Sequence, residues 1–342
     1  HKVIAMPKRT SRYKAWAVTA ACLVMVCAAA VGAGASWYGV PVDGFQSAAQ
    51  LTAVTAAMTP VDTGEAGCAE ATTVLTKQQP GVQQMERVQT ENGYMYYAYS
   101  ASMAEKGRNC VYVFEASSNR QQPLTVIENV APAQATLQGV IAHGERLAVL
   151  ARGENCTYLR IYSIAEPTKP VLLSAIEQSG ACVQAGLVGE NVYVLSHFVF
   201  DPKAEQSVPA LTVNGEIHRA LPEHIVRLAG ANQAQYTVLG TVNVQTGKAA
   251  EDVAAVLGGG PKVQLTKKAA YVGASGDADR TAYGVKWNLK SQKCAKITRR
   301  EAKTLFQLPH EFAADSTERT LYEMGDGWLS IEENLELSLI HI

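Results

Sequence analysis

An all-β fold is predicted by three features of the sequence. Helical periodicity all but disappears beyond residue 90. A turn followed by a β-rich run recurs as ENGYMYYAYS at 91–100, HGERLAVLAR at 143–152 and GENVYVLSHF at 189–198, with TKKAAYVGAS from 266 as a looser copy. A second strand type recurs as NCVYVFEAS at 109–117 and NCTYLRIYSIAEP at 155–167, with looser copies from 236 and 281.

The first strand residues of the repeat, Tyr94, Leu147, Val192 and Ala269, are spaced by 53, 45 and 77 positions, and the last interval leaves room for an insertion at 198–232. Each strand of the second type ends in turn formers and leads into another strand, such as PLTVIENV at 123–130 or PVLLSAIEQS at 170–179. A unit of about 40 to 50 residues made of four short strands is the signature of a β-propeller blade. The same strand spacing would fit a sandwich. Stacking is preferred because a lone four-stranded sheet cannot bury both faces, whereas each blade in a stack is covered by two neighbours. The prediction is a partial propeller over residues 86–336 with about four blades present.

The elements ahead of the repeat follow from charge and hydropathy. No charged residue occurs from Ala15 to Val42, and the run is rich in Ala, Val, Leu and Met, long enough to cross a hydrocarbon core of about 30 Å. Lys2, Lys8, Arg9, Arg12 and Lys14 precede it without an acidic residue, which places residues 1–14 in the cytoplasm, while Trp37 and Tyr38 suit the outer interface. A single transmembrane helix over residues 15–40 is predicted, with everything after it outside. Ala33-Gly34-Ala35 resembles a signal-peptide cleavage site, and cleavage there would also export the remainder. Residues 41–85 read as a linker carrying a short helix from Phe45 to Met58, with Phe45, Ala49, Leu51, Val54 and Met58 on one face. The chain starts at His1 rather than a methionine, and residues 337–342 read as a non-native tail set aside from the fold.

Composition narrows the function classes. The 342 residues are 47% hydrophobic, which is ample for a large core. Thirty basic and 31 acidic residues leave a formal charge of -1, so no field of one sign draws in nucleic acid, and none is expected as a partner. Cys68, Cys110, Cys156, Cys182 and Cys294 lie beyond the apolar segment without CxxC or zinc-type spacing, and are read as structural disulfides or small buried thiols.

Four segments of the sequence resemble the bacterial and archaeal secreted proteins with a C-terminal β-propeller distantly related to WD repeats. FQSAAQL at 45–51 is similar to the family's short helix, ERVQTENGYMYYAYS at 86–100 to its first blade strand, TYLRIYSIAEPTKPVLLSAIE at 157–177 to its most recognisable segment, and VLGGG at 256–260 to a further landmark. The resemblance implies an anchored propeller of seven or more blades outside the cell. It supplies no catalytic set. Where the family tends to carry clustered acids before the first blade strand, this chain has Gln83, Gln84, Met85 and Glu86, which puts any cation site there in doubt.

Few residues suggest chemistry. His218, Glu223 and His224 lie in the insertion and are the candidate metal ligands, two imidazoles and a carboxylate that could activate water, although HxxxxxH is not a helical i, i+4 pair. The alternative is an ordinary loop covering one end of the propeller. Gly258-Gly259-Gly260-Pro261-Lys262 lacks Walker spacing and reads as an inter-strand turn. The stretch from Gly273 to Asp279 offers only Asp277 and Asp279 for calcium and no second glycine after Ser275, so it reads as a hairpin tip. His143 and His197 are placed at corresponding ends of repeat strands, where turn packing is the expected role. No catalytic residue and no cofactor is assigned. The functional expectation is a membrane-anchored binding or sensing module, with an extracellular polymer, protein or smaller ligand as partner; the alternative is an extracellular hydrolase or lyase with its site at the central channel.

Overall fold

A computed structural model describes residues 44–61, 80–100, 108–117, 122–204, 207–228, 231–250, 253–274, 284–291, 293–296, 320–322 and 331–333. The predicted segments 1–14, 15–40 and 337–342 lie outside the described residues. Among the described residues no helix is long and apolar enough to cross a membrane.

The chain enters through helix α1 (Ala48–Ala56), whose N-cap Ser47 accepts a hydrogen bond from the Gln50 amide. The helix is shorter than predicted and its buried face differs. Phe45, Leu51 and Met58 are buried as expected, but Ala49 is exposed and Thr55 takes the inward position, its hydroxyl donating to Leu51 O at 3.0 Å. Strand β1 (Gln83–Gln84) follows, and then the sheets begin.

The first sheet is a four-stranded meander of β2 (Val88–Glu91), β3 (Tyr94–Tyr99), β4 (Cys110–Glu115) and β5 (Thr125–Glu128). The second repeats it with β6 (Thr136–His143), β7 (Arg146–Arg152), β8 (Cys156–Ser163) and β9 (Val171–Ser179). The third opens with β10 (Ala181–Val188) and β11 (Asn191–Val199), and the predicted insertion then intervenes. Its hairpin β12 (Ala210–Val213) and β13 (Glu216–Arg219) leaves the third sheet and pairs with β9, extending the second sheet to six strands. Strand β14 (Ile225–Arg227) returns to lie parallel to β16 at the edge of the third sheet, which is completed by β15 (Gln235–Asn243) and β16 (Ala254–Leu257). The fourth sheet comprises β17 (Gly259–Leu265), β18 (Ala269–Ala274), β19 (Gly284–Asn288) and β20 (Cys294–Lys296), and a separate hairpin pairs β21 (Thr320–Tyr322) with β22 (Ile331–Glu333). The recurring strand types are thus the second strands β3, β7, β11 and β18 and the third strands β4, β8, β15 and β19.

Period-2 alternation explains why LAVLA in β7 is apolar throughout. Leu147, Val149 and Ala151 pack toward the first sheet with Tyr96, Val111 and Val113, whereas Ala148 and Leu150 pack toward the third with Val192 and Val194. Strand β11 repeats the device, since Tyr193 and Leu195 join a third cluster with Val272, Val285 and Trp287 of the fourth sheet. Each sheet between two neighbours is therefore buried on both faces, as the stacking argument requires. The insertion and α1 share the middle cluster through Phe45, Leu51, Met58, Phe200, Ala220 and Ile225.

Polar contacts between sheets repeat with the same phase. Thr157 Oγ1 donates to Gly180 O at 2.7 Å, and Thr237 Oγ1 donates to Gly260 O at 2.8 Å, so β8 and β15 each bind the entry of the next sheet. Gly180 (φ 91°) and Gly258 (φ 78°) make the crossing turns; the turn predicted over Gly258–Lys262 is confined to Gly258, and Gly259 to Lys262 belong to β17, because the left-handed backbone of one glycine is enough to pass the chain between sheets. Gly258 N is committed to Gln235 O at 2.7 Å rather than to an anion cradle.

Candidate functional site

The first strands β6 and β17 are terminal in their sheets and β10 is flanked beyond only by β1, and each carries a register irregularity, between Leu137 and Gly139, Gly259 and Val263, and Cys182 and Gln184 respectively. Such bulges bend a strand and re-aim its side chains. Across these edges lies the chain segment that precedes the first sheet. Strand β1 pairs with β10 (Gln83 opposite Leu187, Gln84 opposite Gly186), and Glu86 then bridges Val140 of β6.

Two glycines make this docking possible. A Cβ on Gly139 would lie 2.6 Å from Glu86 O, and one on Gly186 would lie 2.7 Å from Val82 Cγ1, so any larger residue would push the segment away. Val82 itself is buried with Leu265 of the fourth sheet, and Leu265 N donates to Gln184 Oε1 at 2.7 Å. The stretch Gln83 to Glu86 therefore runs along β10 and meets β6.

Beside this segment opens a cavity of ≈ 470 Å³. Its walls are Pro80, Gly81 and Val82 on one side and Leu187 and Gly189 on the other, with Gln83 and His143 as the polar side chains. Gln83 is oriented by its carboxamide Nε2, which donates to Ala142 O and to Gln89 Oε1, both at 3.2 Å, leaving Oε1 as an acceptor. His143 ends β6, and the turn that follows is clamped: Gly144 N donates to Glu91 Oε1 at 3.0 Å and Asn92 Nδ2 donates to Gly144 O at 3.1 Å. Arg146 on the far side of the turn donates through Nε to Gln245 O of the third sheet at 2.9 Å. A carboxamide and an imidazole in an open cleft of mixed polarity suit a ligand that exchanges hydrogen bonds.

The predicted metal ligands are placed elsewhere. His218 is half-buried on β13, opposite Leu211, while Glu223 and His224 lie on a 3-10 turn (Pro222–His224) that receives the chain ahead of α1. Among the described residues no group of three or more His, Cys, Asp or Glu side chains could hold a metal ion. Ser275, Asp277 and Asp279 lie outside the described residues. His143 and His197 do not correspond: His143 ends an inner strand at the cavity, whereas His197 lies near the far end of the second strand β11. The misplacement arose because His143 precedes the recurring strand type while His197 lies within it. There His197 bonds Gln235 Oε1 at 2.8 Å, and burial, with a smaller contribution from the Arg152 charge, lowers its pKa below the usual imidazole range.

Cys110, Cys156, Cys182 and Cys294 are free thiols. Burial pushes the Cys182 and Cys294 thiols up to about 12. Cys110 and Cys156 begin equivalent third strands in the repeated Asn-Cys-x-Tyr motif, each hydrogen-bonded to the tyrosine two residues on. Gln83 and His143 were missed as a pair by sequence reasoning, because they are 60 residues apart and neither sits in a periodic pattern.

A family match agrees with the architecture. The family described as Beta propeller domain matches residues 76–323. No curated protein matches the chain. Among solved structures, apo AztD from Citrobacter koseri is 10% identical over 63% of this chain and 72% of its own, with a TM-score of 0.19. The uncharacterized protein lmo1340 from Listeria monocytogenes EGD-e is 8% identical over 65% of this chain and 86% of its own, with a TM-score of 0.20. Similarity at that level says nothing of function.

Proposed function

The chain belongs to the Beta propeller domain family, and from that premise we propose that it is a membrane-anchored binding or sensing module working outside the cytoplasm. The observation that carries the binding role is the cavity that Gln83 and His143 line from separate sheets, Gln83 held by Ala142 O and the turn after His143 held by Glu91. A volume of this order suits a ligand of small-molecule size or the end of a polymer. Loops held on a rigid repeat scaffold are common binding elements. The anchor is supported by the uncharged run over residues 15–40 behind a basic flank.

A glycan array of cell-wall oligosaccharides, probed with the full chain in detergent, tests the role. Retention on the array that is lost in His143→Ala supports binding at the cavity, and absence of retention on any spot overturns it. Hydrolysis of an arrayed polymer that disappears in the same variant would replace binding by catalysis at the same cavity.

A further inference from the structure

The path of the chain between the anchor and the first sheet also assigns a surface. Phe45 is buried, and its amide donates to Pro222 O at 2.8 Å and Ile225 O at 3.3 Å. The Cα hydrogens of Gly44 face the Glu223 backbone so closely that a Cβ there would collide with it. The point of entry is thus fixed on the 3-10 turn at Pro222–His224. Three residues, 41–43, separate it from residue 40. At no more than about 3.6 Å per residue, that gap closes within roughly 14 Å.

Directly before this turn runs the exposed edge of the second sheet. Strand β13 is terminal in its sheet, and the chain stays extended through Leu221 (φ -74°, ψ 146°). Alternate residues of an extended chain share a side. Ile217 and Leu221 are 59% and 47% exposed, and Arg219 between them is exposed, whereas Ala220 on the opposite side is 4% exposed. The outward row is apolar, cationic, apolar. Such a row fits the headgroup region of a bilayer, where aliphatic side chains reach the acyl boundary and a guanidinium binds lipid phosphate.

We infer that the row Ile217, Arg219 and Leu221 rests on the outer surface of the bilayer and orients the propeller on it. The inference rests on the membrane-anchored reading above. The test uses the full chain reconstituted in phosphatidylethanolamine and phosphatidylglycerol vesicles with brominated acyl chains, comparing Ile217→Trp and Leu221→Trp with Leu124→Trp, an exposed position just ahead of β5. The bromine-induced quenching added at 217 and 221 is expected to be several-fold that added at 124, and reduced in Arg219→Glu backgrounds. Equal quenching at all three positions, with the native tryptophans quenched through Trp37, would overturn the inference while leaving the anchor standing. Unquenched native tryptophans would remove both.

Discussion

Glu86 and Val140 exchange backbone hydrogen bonds, Val140 N donating to Glu86 O at 2.8 Å and Glu86 N to Val140 O at 3.2 Å. This reciprocal pair joins the segment ahead of the first sheet to the inner strand of the second, and the adjacent Gly139 leaves no room for a side chain. Gly139→Val is accordingly expected to dislodge the segment and destabilise the chain by about 1–3 kcal/mol. Hydrogen exchange at the Glu86 and Val140 amides, with a urea melt of the full chain, measures it; unchanged protection would refute the fit.

Between the second and third sheets the Gln178 carboxamide donates to Val194 O at 3.1 Å, Ser196 Oγ at 2.7 Å and Val238 O at 3.3 Å. Gln178→Leu keeps most of the volume and removes the donors, so buried acceptors lose their partner at a cost of about 1–3 kcal/mol. Its Oε1 lies against Gly240, where a Cβ would collide with it. Gly240→Ala should therefore lower the denaturation midpoint in the wild-type background and do so less in Gln178→Ala, a coupling that a double-mutant cycle reads.

His197 supplies a pH dependence of known sign. Its folded-state pKa is depressed, chiefly by burial, so the neutral ring is the form the fold accepts. Stability from this group is complete above the unfolded value of about 6.5 and is lost as pH falls toward and through the folded value, by at most about 1.4 kcal/mol per pH unit. His197→Gln should flatten the slope of unfolding free energy between mildly acidic and neutral pH. An unchanged slope would place the titration elsewhere.

The two Asn-Cys-x-Tyr motifs give unequal outcomes. Asn109 is 1% exposed, and its Nδ2 donates to Pro132 O at 2.6 Å and Ala135 O at 2.8 Å, whereas Asn155 makes one exposed bond to Val199 O at 3.0 Å. Asn109→Ala should cost about 1–3 kcal/mol and Asn155→Ala roughly 0.5–1 kcal/mol. Equal midpoints in a denaturant series would contradict the difference in burial.

Thiol reactivity should follow access and burial. Cys156 is half-buried, while Cys182 and Cys294 are buried thiols pushed up to about 12. With residue-resolved mass spectrometry, a brief maleimide pulse on the folded chain should label Cys156 ahead of both, and label those two only after denaturation. Early labelling of Cys182 would show that the second and third sheets separate there.

Much of this architecture was legible from alternating patterns, and the exceptions share a cause. The runs around Tyr94, Leu147, Val192 and Ala269 announced the second strands, because their side chains are sorted between two cores. The insertion was legible as a lengthened interval, but not its hairpin's pairing with β9 of the preceding sheet. The helix face was misread at Ala49 and Thr55, since the docking partner, not the 3.6 period, decides which side is buried.

Hydrophobic alternation and turn chemistry are written residue by residue, and from them alone follow the all-β class, the four-strand unit and its copies. That Gln83 and Gln84 lie along β10, that Glu86 meets Val140, and that His143 joins Gln83 at a cavity emerges only in the folded chain. Those pairings use backbone amides and carbonyls that nearly every residue carries, and they join positions far apart in the chain. Local composition leaves no mark of them beyond a glycine where two backbones touch.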